Sequence, residues 1–157
     1  MTTIRKATIA DAAQIEKLYT ELEQDAVRYQ PEHFVFSLAG VRSKQFEAIL
    51  SSENQVMFVA QDNDTVIGFA HVTYNKAKDI SCLKPQSNIY LQDLVVKTEY
   101  RSRGLGTLLL DAAKQYGRQI GADFFRTQVF PQNKDGMRFY ERNGFVQKMI
   151  TIECPLE

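Results

Sequence analysis

The residues with the clearest chemical potential lie in one run, Leu94-Val95-Val96-Lys97-Thr98-Glu99-Tyr100-Arg101-Ser102-Arg103-Gly104-Leu105-Gly106-Thr107. A β-prone stretch feeds a turn rich in arginine and glycine, and the turn opens an apolar-periodic helix. Such a turn is an anion cradle. The first N–H groups of a helix lack intrahelical partners, point outward and sit at the positive end of the helix dipole. Gly104 and Gly106 have no Cβ to hold a phosphate off the backbone. Arg101 and Arg103 are placed to add charge-assisted hydrogen bonds. The run lacks the Lys-Ser/Thr ending of a P-loop and the three-glycine spacing of a dinucleotide fold. Two glycines also serve an ordinary strand-to-helix turn, so on spacing alone both readings stand.

The remaining reactive side chains are sparse. The two histidines, His33 and His71, are far apart and have no partner spacing, so no metal site is expected. Cys82 and Cys154 match no metal-ligand or disulfide pattern and read as free thiols of a reducing cytoplasm. With 19 basic and 19 acidic side chains the formal net charge is zero. That gives no electrostatic reason to expect nucleic acid or an anionic membrane as a partner. No apolar run approaches the roughly 20 residues that span a bilayer, and Met1 to Lys6 has no signal-peptide core. A cytoplasmic location is expected.

The elements that must position these residues follow from the periodicity. The 157 residues are 44% hydrophobic and 24% charged, with no repeat and no Pro/Gly/Ser linker, so one domain over 1–157 is expected. Thr2 to Lys6 predicts a strand, and Asp11 caps a helix carrying Ile15, Leu18, Tyr19 and Leu22 on one face. Gln45 to Leu50 reads as a short second helix. Gln55–Gln61 and Val66–Tyr74 read as a hairpin around the Asx-rich turn at 62–65. Asn88 to Lys97 is a strand, Leu105 to Ile120 an amphipathic helix stopped by Gly121, and Asp123 to Phe130 a strand. Asp135 to Arg142 is a helix, and Phe145 to Glu153 a closing strand. The order gives an α+β protein, a mixed sheet with helices packed on it.

In this setting the chain resembles the GNAT superfamily of N-acetyltransferases. Arg101-Ser102-Arg103-Gly104-Leu105-Gly106 matches its acetyl-CoA signature, Gln/Arg-x-x-Gly-x-Gly/Ala. Val129-Phe130-Pro131-Gln132-Asn133 and Met137-Arg138-Phe139-Tyr140-Glu141-Arg142-Asn143-Gly144-Phe145 are similar to its second conserved region, and Ile4-Arg5-Lys6-Ala7-Thr8 to a common family opening. The resemblance implies a mostly antiparallel sheet, splayed at a cleft that holds acetyl-CoA. It implies that the N–H groups of Arg101, Ser102, Arg103, Gly104, Leu105, Gly106 and Thr107 hold the pyrophosphate. Leu94, Val95 and Val96 then border the pantetheine arm, Leu94 and Val96 pairing with it through their main chain, and Asn133 lies near the pantetheine or the phosphates.

By the same resemblance Tyr140 protonates the departing thiolate, a task suited to a phenol with an ordinary pKa near 10; packing on the sheet is the other reading. The stretch around Gln92-Asp93 is most similar to the polyamine-acetylating branch, in which a glutamate usually stands at the position of Gln92. Glutamine accepts no proton at neutral pH, so that base is absent or displaced. Asp93 either binds a cationic acceptor or organises water, turned into the cleft by a bulge, or is a structural carboxylate. Tyr29, His33, Phe34 and Phe36 either line the acceptor pocket or pack a loop. The expected reaction is direct acetyl transfer to a small primary amine. A protein or peptide acceptor, a non-catalytic acyl-CoA-binding module and a nucleic-acid-binding regulator are the alternatives. Family members often pair as homodimers, and the sequence does not fix the mode.

Overall fold

The computed structural model describes residues 1–157. In chain order it contains β1 (Thr2–Lys6), α1 (Ala12–Tyr29), α2 (Val41–Ser51), β2 (Gln55–Asp62), β3 (Thr65–Asn75), β4 (Asn88–Val96), α3 (Leu105–Gln119), β5 (Phe124–Arg126) and α4 (Lys134–Arg142). The strands form one sheet in sequence order, β1 to β5. The first four are antiparallel neighbours, whereas β5 joins β4 in parallel, because α3 carries the chain back to the start of β4. The expected mixed, mostly antiparallel α+β sheet is present.

Helices cover both faces, so β2 and β3 are buried along most of their length on both sides. Period-2 alternation sorts the side chains. Val56, Phe58, Ile67, Ala70, Val72, Ile89 and Leu91 meet Leu105, Leu109, Leu110 and Ala113 of α3. Met57, Val59, Val66, Phe69 and Val95 meet Ile15, Leu18 and Tyr19 of α1 and Phe46 and Ile49 of α2. The α3 stripe and the α1 stripe are those expected from their apolar spacing. Gly121 takes φ +76° and ends α3.

Four expectations are corrected. The second helix begins at Val41, four residues before Gln45, because Gly40 at φ +82° lets the loop turn directly into it. Asp11 stands at the N-cap of α1 but makes no side-chain cap bond. It is buried instead and accepts 2.8 Å bonds from both terminal nitrogens of Arg5 and from the Thr8 N–H. The strand expected over Asp123–Phe130 keeps its ladder only at Phe124–Arg126. Phe145–Glu153, expected as a closing strand, pairs with nothing in its own chain.

The Arg5 guanidinium holds the Asp11 carboxyl below the usual carboxylate range, against the upward push of burial. Asp11→Ala is expected to lower the unfolding free energy at pH 7 by about 1.5–3 kcal/mol, the scale of a charge-assisted bond. A depressed carboxylate contributes stability above its unfolded pKa and loses it as pH falls through the folded value. The difference between wild type and variant in urea melts therefore narrows below about pH 4. A gap that stays constant to pH 2.5, about the bottom of the carboxylate range, would place the stabilisation elsewhere.

Candidate active site

The site is a gap between neighbouring strands. The β4–β5 ladder runs only from Asn88–Phe124 to Tyr90–Arg126. The Thr127 hydroxyl donates to the Leu91 carbonyl at 3.0 Å as a last tie, and the two stretches then part. Phe130 is drawn to the other side of the gap, where it packs against Tyr29 (ring centroids 5.9 Å apart) and Phe34 (5.5 Å). The β5-facing edge of β4 beyond Leu91, including Leu94 and Val96, is thus left without a strand partner.

At the far end of that edge lies the turn picked out by its glycines. The backbone N–H groups of Ser102 through Thr107 donate to no backbone carbonyl; the first helical bond of α3 is Leu108 N–H to Gly104 at 3.1 Å. Ser102 at φ +65° and Gly104 at φ +80° are both left-handed, which turns successive N–H groups toward one concavity. The arginines are placed differently from expectation. Arg101 Nε donates to the Val96 carbonyl at 2.9 Å, pinning the end of β4, and Arg103 lies over the Tyr100 ring with its guanidinium carbon 5.2 Å from the centroid.

The two glycines have separate reasons. A Cβ on Gly104 would meet nothing within 4 Å, so what Gly104 supplies is its positive φ. A Cβ on Gly106 would lie 2.9 Å from Cζ of Phe139, so Gly106 lets α4 approach α3. Asn133 caps α4: its Oδ1 accepts from the Gly136 N–H at 2.9 Å. The cap sets where α4 begins, and α4 carries Tyr140.

Tyr140 is half-buried between Phe139 (5.2 Å) and Phe145 (5.4 Å), both edge-on. Burial pushes its phenol up to about 12; the Thr127 hydroxyl pulls the other way, and Asp93 and Tyr90 add to the rise. Asp93 comes from the opposite face. The β3–β4 register pairs His71 with Asp93 and Val72 with Leu91, which leaves Gln92 as an extra residue. This is a bulge where one was considered. Gln92 is turned out and donates to the Thr73 hydroxyl at 3.2 Å. Asp93 lies in a cleft of about 340 Å³ beside Tyr19, Arg42, Gln55 and His71. His71 Nδ1 is 3.7 Å from Asp93 Oδ2, while its Nε2 is bonded to Gln55 Oε1 at 2.8 Å. Burial, with Asp93 adding to it, pushes the Tyr19 phenol well above its ordinary value.

The loop between α1 and α2 lines a second cavity, of about 280 Å³, which shares Tyr19 and Arg42 with this cleft. Buried Glu23 of α1 accepts from the Ser37 N–H and hydroxyl at 2.7 Å each and from Arg42 Nε at 2.6 Å. Burial pushes the Glu23 carboxyl up, but Ser37 and Arg42 together hold it below its ordinary value. Of the aromatic residues expected there, Tyr29 and Phe34 converge on Phe130. His33 points to the C-terminal segment, where Nε2 meets Glu153 Oε2 at 2.8 Å in an exposed group that includes Glu32. Phe36 is exposed. Sequence reading missed His71, Tyr19, Arg42 and Thr127. Alternation along β3 puts His71 on the face of Phe69, but only the bulge at Gln92 brings Asp93 to it.

The Acetyltransferase (GNAT) family model matches residues 15–145. The uncharacterized N-acetyltransferase YhfO of Bacillus subtilis is 30% identical over 145 residues, 90% of this chain and 88% of the relative. The thialysine N-epsilon-acetyltransferase of Sus scrofa is 35% identical over 57 residues, 36% of this chain and 34% of that one. A tetramutant of the BH1408 protein from Bacillus halodurans superposes with a TM-score of 0.92 at 23% identity, covering 98% of this chain and 99% of the other. The aminoglycoside N-acetyltransferase AAC(6')-Iy in complex with CoA superposes with 0.78 at 18% identity, covering 99% and 95%. The chain therefore belongs to the acetyltransferase (GNAT) family, and it is an N-acetyltransferase.

The contact of Gly106 with Phe139 makes a stability prediction. Gly106→Ala forces the Phe139 ring to move and is expected to cost about 1–3 kcal/mol, as overpacking does. In the Phe139→Leu background the same change should cost at least about 0.5 kcal/mol less, a coupling that a double-mutant cycle on thermal melts resolves. Additive losses would mean that Gly106 is needed for something other than this contact.

Proposed function

We propose that residues 1–157 act as one catalytic domain that moves an acetyl group from acetyl-CoA directly to a primary amine of a small cationic molecule. The observation that carries this reading is the gap itself: an unpaired strand edge leads from six unpaired N–H groups to a point between Tyr140 and Asp93. The residues present fit the donor. The cradle at Ser102–Thr107 suits a pyrophosphate, and the free edge of β4 suits an amide-bearing arm that pairs as a strand does. The backbone supplies the cradle, and the terminal nitrogens of Arg101 and the guanidinium of Arg103 stand beside it to add charge-assisted contacts.

Acetyl-CoA supplies the acyl group as a thioester, and the protein's own residues manage two protons. Asp93, the one carboxylate lining the cleft, attracts a protonated amine to its mouth. The amine must shed a proton to attack, and the Asp93–His71 pair takes it. The new C–N bond forms as the C–S bond breaks, and the Tyr140 hydroxyl holds a proton for the thiolate that leaves. Gln92 lines the same cleft, where its amide donates to the Thr73 hydroxyl and is placed to meet the acceptor rather than to take a proton. The relatives named for thialysine and aminoglycoside acetylation support a small-molecule acceptor. No helix is long and apolar enough to cross a membrane, and we propose a cytoplasmic site of action.

Tyr140→Phe is expected to lower kcat by about 10²–10⁴ while leaving the KM for acetyl-CoA within about threefold. A phenol pushed up to about 12 stays protonated below that value. The wild-type kcat should therefore not fall as pH rises through 9 to about 11; a fall there that Tyr140→Phe abolishes would mean that the phenol is the acid but titrates lower than its burial implies. Asp93→Asn is expected to raise the KM for cationic amines about tenfold or more, the loss of one charge-assisted contact. A thiol-release assay over spermidine, amino acids, an aminoglycoside and peptides tests the acceptor class. Preference for peptides over every small amine would reverse it, and CoA binding without turnover on any of them would leave a binding module.

A further inference from the structure

Two polar groups of the 340 Å³ cleft face each other without bonding. The Asp93 carboxylate accepts no hydrogen bond from the chain, and its one ion-pair contact is with buried His71, whose Nδ1 lies 3.7 Å from Oδ2. That is too long for a hydrogen bond. The other ring nitrogen shows why. His71 Nε2 is bonded to Gln55 Oε1 at 2.8 Å. An amide oxygen carries lone pairs only, so it is met by an N–H. In the neutral imidazole the single ring proton is therefore on Nε2, and Nδ1 presents a lone pair to Asp93.

The sheet builds this arrangement. Met57 stands opposite His71 in the β2–β3 register, and Gln55, two residues earlier on β2, shares its face. A long side chain reaches a diagonal neighbour of this kind. On the other side, the bulge at Gln92 sets Asp93 opposite His71. The remaining ionisable groups lining the cleft are Tyr19 of α1 and Arg42 of α2. Arg42 is already engaged, its Nε donating to Glu23 at 2.6 Å and its Nη1 to Gln45 at 3.1 Å. Neither competes for a proton: burial pushes the Tyr19 phenol above its ordinary value, and a guanidinium has no acceptor. Two bare acceptors 3.7 Å apart suit one ammonium nitrogen, placed about 2.9 Å from each and donating one N–H to either.

We propose that Asp93 Oδ2 and His71 Nδ1 form a single seat for the ammonium of the acceptor, that Nδ1 is the atom that takes its proton, and that Gln55 is the positioning residue that keeps Nδ1 bare. One ammonium N–H bond breaks, and its proton forms a bond with the Nδ1 lone pair. The electron pair left on the amine nitrogen attacks the thioester carbonyl. The imidazolium so formed lies against the Asp93 carboxylate and releases the proton to solvent before the next cycle. This rests on the acetyl-transfer reading and narrows it, from a pair of residues to one atom and the side chain that prepares it.

Long-range proton–nitrogen correlation spectra of the full chain, with its histidines isotopically labelled, test it together with pH profiles for the amine turned over fastest. His33 is the only other histidine, so His33→Asn identifies the His71 signals. Above about pH 8, where an ordinary imidazole is neutral, wild-type His71 should carry its proton on Nε2. In Gln55→Leu a measurable share should move to Nδ1, toward Asp93, and kcat should fall about tenfold or more with the KM for acetyl-CoA within about twofold. Gln55→Glu keeps an acceptor at Nε2 but adds a negative charge that favours the imidazolium. Its kcat/KM should lose the acidic limb about one pH unit or more above the wild type, with a plateau above that of Gln55→Leu. A merely structural role for Gln55 would lower activity without moving the limb. A wild-type proton on Nδ1 overturns the assignment whether or not the variants fold, and so does an unmoved limb in Gln55→Glu. A wild type that holds the proton on Nε2 yet turns over no amine defeats the acetyl-transfer reading itself, and the base with it.

Discussion

Main-chain polar groups taken out of water need partners, and β4 has them on one edge only. Its inner edge is bonded to β3 throughout, apart from the bulge, whereas its outer edge loses β5 after Arg126. Two forces keep the strands apart. Thr127 bonds the Leu91 carbonyl through its side chain rather than extending the ladder. Phe130 is then drawn to Tyr29 and Phe34, which belong to the other layer. The unpaired edge is tolerable because it lines a cleft open to water or ligand, and it is useful for the same reason. The unpaired N–H groups of the Ser102–Thr107 turn lie beyond its end, past the bonded stretch Lys97–Arg101, and together the two make up the proposed donor site.

The two proposed proton-handling groups sit in different layers, Tyr140 packed against the α3 core and Asp93 in a cleft beside α1 and α2. Each is set by contacts remote from the gap. Tyr140 depends on where α4 begins, which Asn133 fixes by capping, and on how close α4 lies to α3, which Gly106 permits. Asp93 depends on the extra residue Gln92, without which the alternation of β4 would present a different side chain to His71. The α1–α2 loop is tied by Glu23 to α1, which carries it, and through Arg42 to α2. The site is therefore only as firm as one cap, one bulge and one buried carboxylate.

Much of this was legible in the residues. The apolar periods of α1 and α3, the hairpin at 62–65 and the cradle turn are local signals, and local physics decides them. The family pattern around Arg101–Gly106 and Phe139–Gly144 led to the layout of the cleft. What could not be read was decided by long-range pairing. Whether Asp123–Phe130 stays on β4 depends on Phe130 finding Tyr29 and Phe34, more than ninety positions away in the chain. Phe145–Glu153 has the local marks of a strand, yet it makes no main-chain pairing, although Phe145 packs on Phe125 beside the open edge of β5. Arg101 was legible as a candidate phosphate ligand by type, but not the bond from its Nε to the Val96 carbonyl.

A phenol raised to about 12 looks at first like a poor acid for a thiolate, since an ordinary thiol has a pKa near 8.5 and proton transfer would be uphill. The comparison with an ordinary thiol is the wrong one. The rise at Tyr140 comes chiefly from burial, and burial penalises any anion in the same place. A thiolate released between Phe139, Tyr140 and Phe145 would meet the same apolar surroundings and the same repulsion from Asp93, so its affinity for a proton rises as well. Only the difference between the two shifts decides the direction of transfer. Burial alone therefore does not disqualify Tyr140 as the proposed proton donor.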